Sequence, residues 1–160
     1  MKMMRLIVIG MLTLCINTAF ACSCREYSDD LELEVHRAYV KSQAVVLAKA
    51  VNIKVEGDIE ITGFITVRAW KGIQTNRFYT EISTMCCICG VSFTKGKEYL
   101  LYLSGPDDKG YFRTNMCTRT RPFSDALIPE IEILTKIWKK FPNFIKKRII
   151  PQNKFLHNAV

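Results

Sequence analysis

The sequence predicts a mainly β domain with flanking helices, its five strands forming a small, closed or part-closed β-barrel of the OB type. Three observations carry that reading. Five stretches rich in β-branched and aromatic residues are separated by turn residues, and apolar stripes at helical spacing flank them on both sides. An even set of cysteines follows an apolar leader, the pattern of a disulfide framework in an exported chain.

The leader comes first. Lys2 and Arg5 give a short positive start, residues 6–16 are apolar, and Ala19-Phe20-Ala21 fits the small-x-small rule for cleavage. Residues 1–21 therefore read as a secretory signal peptide, with an apolar run too short and too early for a membrane span. The rival is a lipoprotein signal with Cys22 acylated, giving a lipid-anchored envelope protein. Ala21 suits that reading, but Ala19 and Phe20 stand where a leucine and a small residue are usual. Simple cleavage makes Cys22-Ser23-Cys24 the start of the mature chain, 22–160, which is long enough for one domain with a real core.

Ser28-Asp29-Asp30 reads as a helix start, a capping hydroxyl followed by acids near the positive end of the dipole. Leu31, Val35, Ala38, Tyr39 and Ser42 share one face, which predicts a helix over about 28–42. The first strand spans 44–55, and its apolar start implies burial on both faces. Glu56-Gly57-Asp58 turns the chain into 59–70, which alternates in period two through Ile59, Ile61, Gly63, Ile65 and Val67 until Lys71-Gly72 breaks it. Strands three to five are expected at 78–84, 98–103 and 111–117, with a turn at 104–108 joining the last two. Helical spacing returns with Leu127, Ile131, Leu134, Trp138 and Phe141, a stripe expected to pack on the barrel, with Pro129 tolerated in the first turn. The domain is bounded at 22–141, and residues 142–160 form a basic tail around Lys146-Lys147-Arg148.

The net charge of +8 is concentrated at that end. Residues 22–126 carry 14 Lys+Arg against 13 Asp+Glu, whereas residues 127–160 carry 7 against 2. The body is not a polyanion-binding surface, so no nucleic-acid partner is expected; the tail could meet an anionic glycan or membrane surface.

The case for an enzyme is poor. The only histidines are His36, on the predicted helix, and His157, and the chain has no His-Glu-x-x-His site, nucleophile elbow or phosphate-binding glycine loop. Asp29/Asp30 and Asp107/Asp108 sit at a helix start and in a turn, where structural roles suffice. Cys86-Cys87-Ile88-Cys89 contains a Cys-x-x-Cys spacing, but Gly90-Val91-Ser92-Phe93 is not the helix start that would lower a thiol pKa. Cys22, Cys24, Cys86 and Cys89 could hold zinc or copper if reduced; an oxidising compartment argues against that, and no cofactor is expected. Cys15 leaves with the leader, and six cysteines remain: Cys22, Cys24, Cys86, Cys87, Cys89 and Cys117. Their connectivity is open on sequence alone.

The ordered set of motifs resembles the N-terminal domain of the tissue inhibitors of metalloproteinases, within the netrin-like superfamily. The similarity covers about 22–135: Cys22-Ser23-Cys24 after the leader, residues 43–51 in the first strand, Trp70-Lys71-Gly72 closing the second, Cys89-Gly90-Val91-Ser92-Phe93, residues 96–101, and Cys117. Cys117-Thr118-Arg119-Thr120, followed by Ala126 and a helix, is similar to the bacterial members. Pairing Cys22 with Cys89 and Cys24 with Cys117 would staple the N-terminal strand across the loop before strand four and the end of strand five. The first of these links closes a long loop, worth roughly 4 kcal/mol on the chain-entropy model. Cys86 and Cys87 are left unassigned, either bonded to each other or with one replacing Cys89. They are additions where the family's second contact loop would lie. A third disulfide of the animal inhibitors and their cysteine-rich C-terminal subdomain have no counterpart here.

The resemblance implies a secreted or periplasmic, monomeric inhibitor of zinc metalloproteinases that has no metal of its own. The α-amine and carbonyl of Cys22 would displace water from the open position of the target's catalytic zinc. Ser23 would enter the primed-side specificity pocket, and Cys24, Met85, Ile88 and Cys89 would contact the target around it. The alternative is a netrin-like binding module without inhibitory activity, attached by its basic tail to an anionic surface.

Overall fold

A computed structural model describes Cys24, residues 28–84 and residues 89–140. Helix α1 (Leu31–Lys41) leads into strands β1 (Ala44–Glu56), β2 (Ile59–Lys71), β3 (Arg77–Ser83) and β4 (Glu98–Leu103). Two short strands follow, β5 (Tyr111–Phe112) and β6 (Arg121–Pro122), and helix α2 (Ile128–Lys140) ends the described chain. All six strands belong to one sheet in the order β5-β3-β2-β1-β4-β6, antiparallel except for the parallel β3–β5 pair.

β1 explains how this sheet makes two cores. Its alternate residues face opposite sides, and both sides are covered. Ala44, Val46, Ala48 and Ala50 join Phe64, Phe78, Phe93, Tyr99, Leu101 and Phe112 on one side. Val45 and Leu47 join Trp70, Leu100, Tyr102 and the apolar faces of α1 and α2 on the other. Burial on both faces is therefore what makes the start of β1 and most of β4 read as continuous apolar runs. The β1–β2 ladder contains three register irregularities, at Val45/Val46, Leu47/Ala48 and Ala50/Asn52. Such bulges bend and twist a strand, and here they curve the sheet around its aromatic core.

Trp70-Lys71-Gly72 fastens the helices to the sheet. The Trp70 indole N–H donates to Thr135 Oγ1 in α2 (3.2 Å), and the Trp70 carbonyl accepts from the Tyr39 hydroxyl in α1 (3.0 Å). Lys71 Nζ donates to the carbonyls of Tyr39 (2.7 Å) and Val40 (3.2 Å), placing a cation on the negative end of α1. Gly72 has φ +80°, and a Cβ there would lie 2.3 Å from the Gln43 carbonyl oxygen. Gly72→Ala should thus be destabilising by at least ~1–2 kcal/mol from the left-handed backbone alone, with the clash added. Urea unfolding checks this, and an unchanged midpoint would refute it.

Several expectations need correction. The ladder does not close into a barrel: β5 ends after Phe112, and among the described residues only an isolated bridge, Ser104↔Arg113, links the chain just past β4 to the chain just past β5. The expected strand over 111–117 is cut short because Asn115 caps a 3₁₀ turn, Met116–Thr118, its side chain accepting from Cys117 N–H. β6 has no counterpart in the expectation. α1 begins later than expected, with Asp30 rather than Ser28 as its cap, accepting from Leu33 N–H (3.0 Å). In β2 the alternation is present but the buried residues have the other parity: Glu60, Thr62 and Phe64 face inward while Ile59 and Val67 are exposed. Cross-strand pairing of Phe64 with Phe78 sets that register, because the two rings stack at 5.3 Å inside the core. Leu127, in the 3₁₀ turn Asp125–Leu127 just before α2, and Leu134 in α2 are buried as expected, but Trp138 is exposed. Residues 1–21, Phe141 and the tail 142–160 lie outside the described residues.

Candidate functional site

Two segments distant in sequence meet at the 3₁₀ turn Met116–Thr118. Cys24 is disulfide-bonded to Cys117, with Cα atoms 5.2 Å apart and a separation of 93 positions in sequence. Met116 N–H donates to the Cys89 carbonyl (2.9 Å), so the chain emerging from 85–88 is held against the same turn. Cys89 is itself disulfide-bonded. Its expected partner Cys22, along with Ser23, Met85, Cys86, Cys87 and Ile88, lies outside the described residues. Of the residues expected to contact a target, Cys24 and Cys89 are thus placed together, half-buried, beside an exposed Met116.

The turn is held from beneath by hydroxyls and a buried ion cluster. Thr114, Thr118 and Thr120 hydrogen-bond one another through their side chains at 2.6–2.7 Å for the two closest contacts. Arg119 has φ 65°, and its guanidinium clamps Glu130 with Nε to Oε1 (3.2 Å) and Nη2 to Oε2 (2.8 Å). Arg121 donates to the same carboxylate, and the Tyr102 hydroxyl donates to Oε1 at 2.6 Å. Burial works to raise the Glu130 carboxyl. The hydrogen bonds from Arg119 and Tyr102 and the charges of Arg119 and Arg121 outweigh it and hold the group below its ordinary range. Burial, and then the adjacent Glu130, push the Tyr102 phenol well above its usual range, so it remains a donor.

The chain that follows Cys89 is anchored in the aromatic core. Phe93 meets Phe64 and Tyr99 edge-to-face, each at 4.9 Å, and Thr94 N–H donates to the Tyr99 hydroxyl (2.8 Å). Glu60, buried on β2, accepts from Phe93 N–H (3.4 Å) and from Thr62 Oγ1 (2.9 Å). On the entering side, Thr84 N–H donates to the Asp58 carbonyl at 2.7 Å.

The alternatives weighed from sequence look different in this light. Cys24 and Cys89 are both in disulfides, so neither can serve as a thiolate ligand in the four-cysteine metal set. His36 is exposed, and His157 lies outside the described residues. Asp30 caps α1, and Asp107 accepts from the N–H groups of Lys109 and Tyr111 within its turn. A groove of about 220 Å³ runs between α1 and the 117–119 turn, smaller than the usual ~300–1,000 Å³ of a small-molecule pocket. The sequence reading missed Glu60 and Glu130. Glu130 had a signal, an acid on the inward side of a helix only three residues from Leu127; Glu60 had none stronger than its parity with Phe64. No protein-family model matches the chain, and no curated protein matches it at a significant level.

Proposed function

We propose that this protein is a secreted inhibitor of zinc metalloproteinases with a netrin-like, OB-type domain, working through a chain terminus at Cys22. The observation that carries the reading is the Cys24–Cys117 disulfide, two residues from that terminus, on a turn that also binds Cys89. A disulfide also suits the oxidising compartment to which a leader would deliver the chain. The sheet order, the parallel β3–β5 pair and the Ser104↔Arg113 bridge support a part-closed OB-type arrangement over an open β-sheet of another kind.

The chemistry follows from the terminus. A catalytic zinc held by three protein ligands keeps an open position, which the α-amine and carbonyl oxygen of Cys22 would occupy as a five-membered chelate. Only the neutral amine binds, and an N-terminal pKa of about 7.7–8.0 leaves an appreciable neutral fraction near pH 7. Tethering at Cys24 restricts the terminus before binding, which lowers the entropy lost on docking. Ser23 then enters the pocket beside the zinc, flanked by Met85, Ile88 and Cys89.

The test is inhibition of a panel of zinc metalloproteinases by protein that begins at Cys22, compared with protein carrying one extra N-terminal alanine. Potent inhibition by the first and none by the second is the expected result. Equal inhibition by both would remove the chelate mechanism, and inhibition by neither in fully oxidised protein would remove the function.

A further inference from the structure

β2 turns its isoleucines away from both cores. Ile59, Ile61 and Ile65 alternate with the buried Glu60, Thr62 and Phe64, so the outward side of the strand is the more apolar one. A sheet with one wet face ordinarily puts polar residues there. The helices cover this side of the sheet only as far as Leu47 and Trp70. Beyond them Ile59 is 40% exposed, and Tyr79 is exposed where its ring crosses Gly63, 3.1 Å from the position a Cβ would take. An uncovered apolar stripe of this kind marks a contact surface.

The charges around the stripe say what covers it. Pairing across the sheet sets Lys49 and Arg77 on either side of Ile65, at one end. Glu56 flanks Ile59 at the other end, and Glu81 flanks Ile61 next to it. Lys49 and Arg77 have no ion-pair partner among the described residues. Glu56 holds Lys54, and Glu81 shares Arg113 with Asp107, so the second end carries three acids to two cations. A carboxylate there has room for a further donor. A stripe that is positive at one end and negative at the other complements itself when reversed. We propose that two copies of this chain pack β2 against β2 through this face, about a two-fold axis that lies between the sheets and crosses the strands. Ile65 of each copy then lies over Ile59 of the other, Lys49 over Glu56, and Arg77 over the end of β3 that carries Glu81. A two-fold axis along the strands would instead set Lys49 over Arg77, like charge on like. The proposal does not rest on the inhibitor reading, and it replaces the monomer that the resemblance implies.

The sheet curves away from this face, so contact is confined to the stripe and its flanks, and association should be half-complete at about 10–100 μM. Sedimentation velocity on protein that begins at Cys22, from about 1 to about 500 μM, should show monomer giving way to dimer in that range. Each substitution enters a symmetric contact twice, so a loss of about tenfold per contact becomes about 100-fold per dimer. Lys49→Glu and Glu56→Lys should therefore each leave monomer alone. Ile59→Lys should do the same, because it sets a cation against Lys49 and Arg77 of the other copy. Mixing the Lys49→Glu protein with the Glu56→Lys protein should restore the dimer, because both contacts then join opposite charges. Misfolding cannot produce that rescue, and all three side chains are exposed, so the urea midpoints should stay put. Monomer at every concentration would overturn the proposal and leave the face to a different protein. A dimer indifferent to Ile59→Lys would overturn it by placing association on another surface, and so would a mixture that stays monomeric.

Discussion

Replacing Cys24 and Cys117 together by serine should lower stability by roughly 4–5 kcal/mol, the chain-entropy value for a cross-link between residues 93 apart. The folded state itself loses little, because both cysteines are only half-buried and serine fits the space. What changes is the unfolded ensemble, which is released from a large loop. That account makes a second claim about the same urea titration: the m-value should rise, because a less constrained unfolded chain exposes more surface. A loss below ~1 kcal/mol, or an unchanged m-value, would contradict it. If Cys22 is the working group, the variant should also inhibit less well under conditions where circular dichroism shows it folded, since its terminus is no longer held at the 116–118 turn.

The elements that reveal themselves in sequence are those whose burial is one-sided or complete. The first half of β1, up to Ala48, and β4 after Glu98 are apolar because both faces of the sheet are covered there, and α1 shows its inward face through Val35, Ala38 and Tyr39. β2 gives its existence but not its facing. Isoleucines occupy the outward parity while Glu60 and Thr62 are buried, because the stack of Phe64 on Phe78 and the bond from Phe93 N–H to Glu60 decide the register. No rule of local pattern contains those contacts, which join residues from separate segments of the chain. The incomplete closure of the sheet is equally non-local. It depends on where Asn115 diverts the chain after β5, and Asn-Met-Cys-Thr carries no strong turn signature. At the candidate site, Cys24 and Cys117 were legible as disulfide candidates because an even set of cysteines behind an apolar leader has few uses, and their pairing was what the resemblance implied. The ion cluster beneath them was not, because Arg119, Arg121 and Glu130 each resemble ordinary surface charges until the fold buries their meeting point.

That cluster leads to the second large effect. Glu130→Ala should cost about 3–5 kcal/mol, because it leaves the Arg119 side chain, 9% exposed, as a buried charge without its carboxylate. Glu130→Gln should fall near the lower end of that range, since an amide oxygen can still accept from Tyr102 but does not neutralise the arginines. The penalty comes from stranding a partner, not from the attraction alone, so an apolar replacement of the whole cluster should behave differently. Glu130→Leu with Arg119→Met and Arg121→Met is expected to recover most of the lost stability. The pH dependence gives an independent check. Glu130 has a folded-state pKa below its ordinary value of 4.5, so the stability it confers is complete above that value. It is lost as pH falls below 4.5 and through the lower folded value, where the carboxylate protonates and Arg119 loses its counter-charge. Urea midpoints measured from about pH 6 down to about pH 3 should therefore fall more steeply for the wild type than for Glu130→Gln, which has no proton to take up there. Parallel profiles would mean that folding does not lower the carboxyl's pKa, and the clamp holding the Cys117 turn would then need a different explanation.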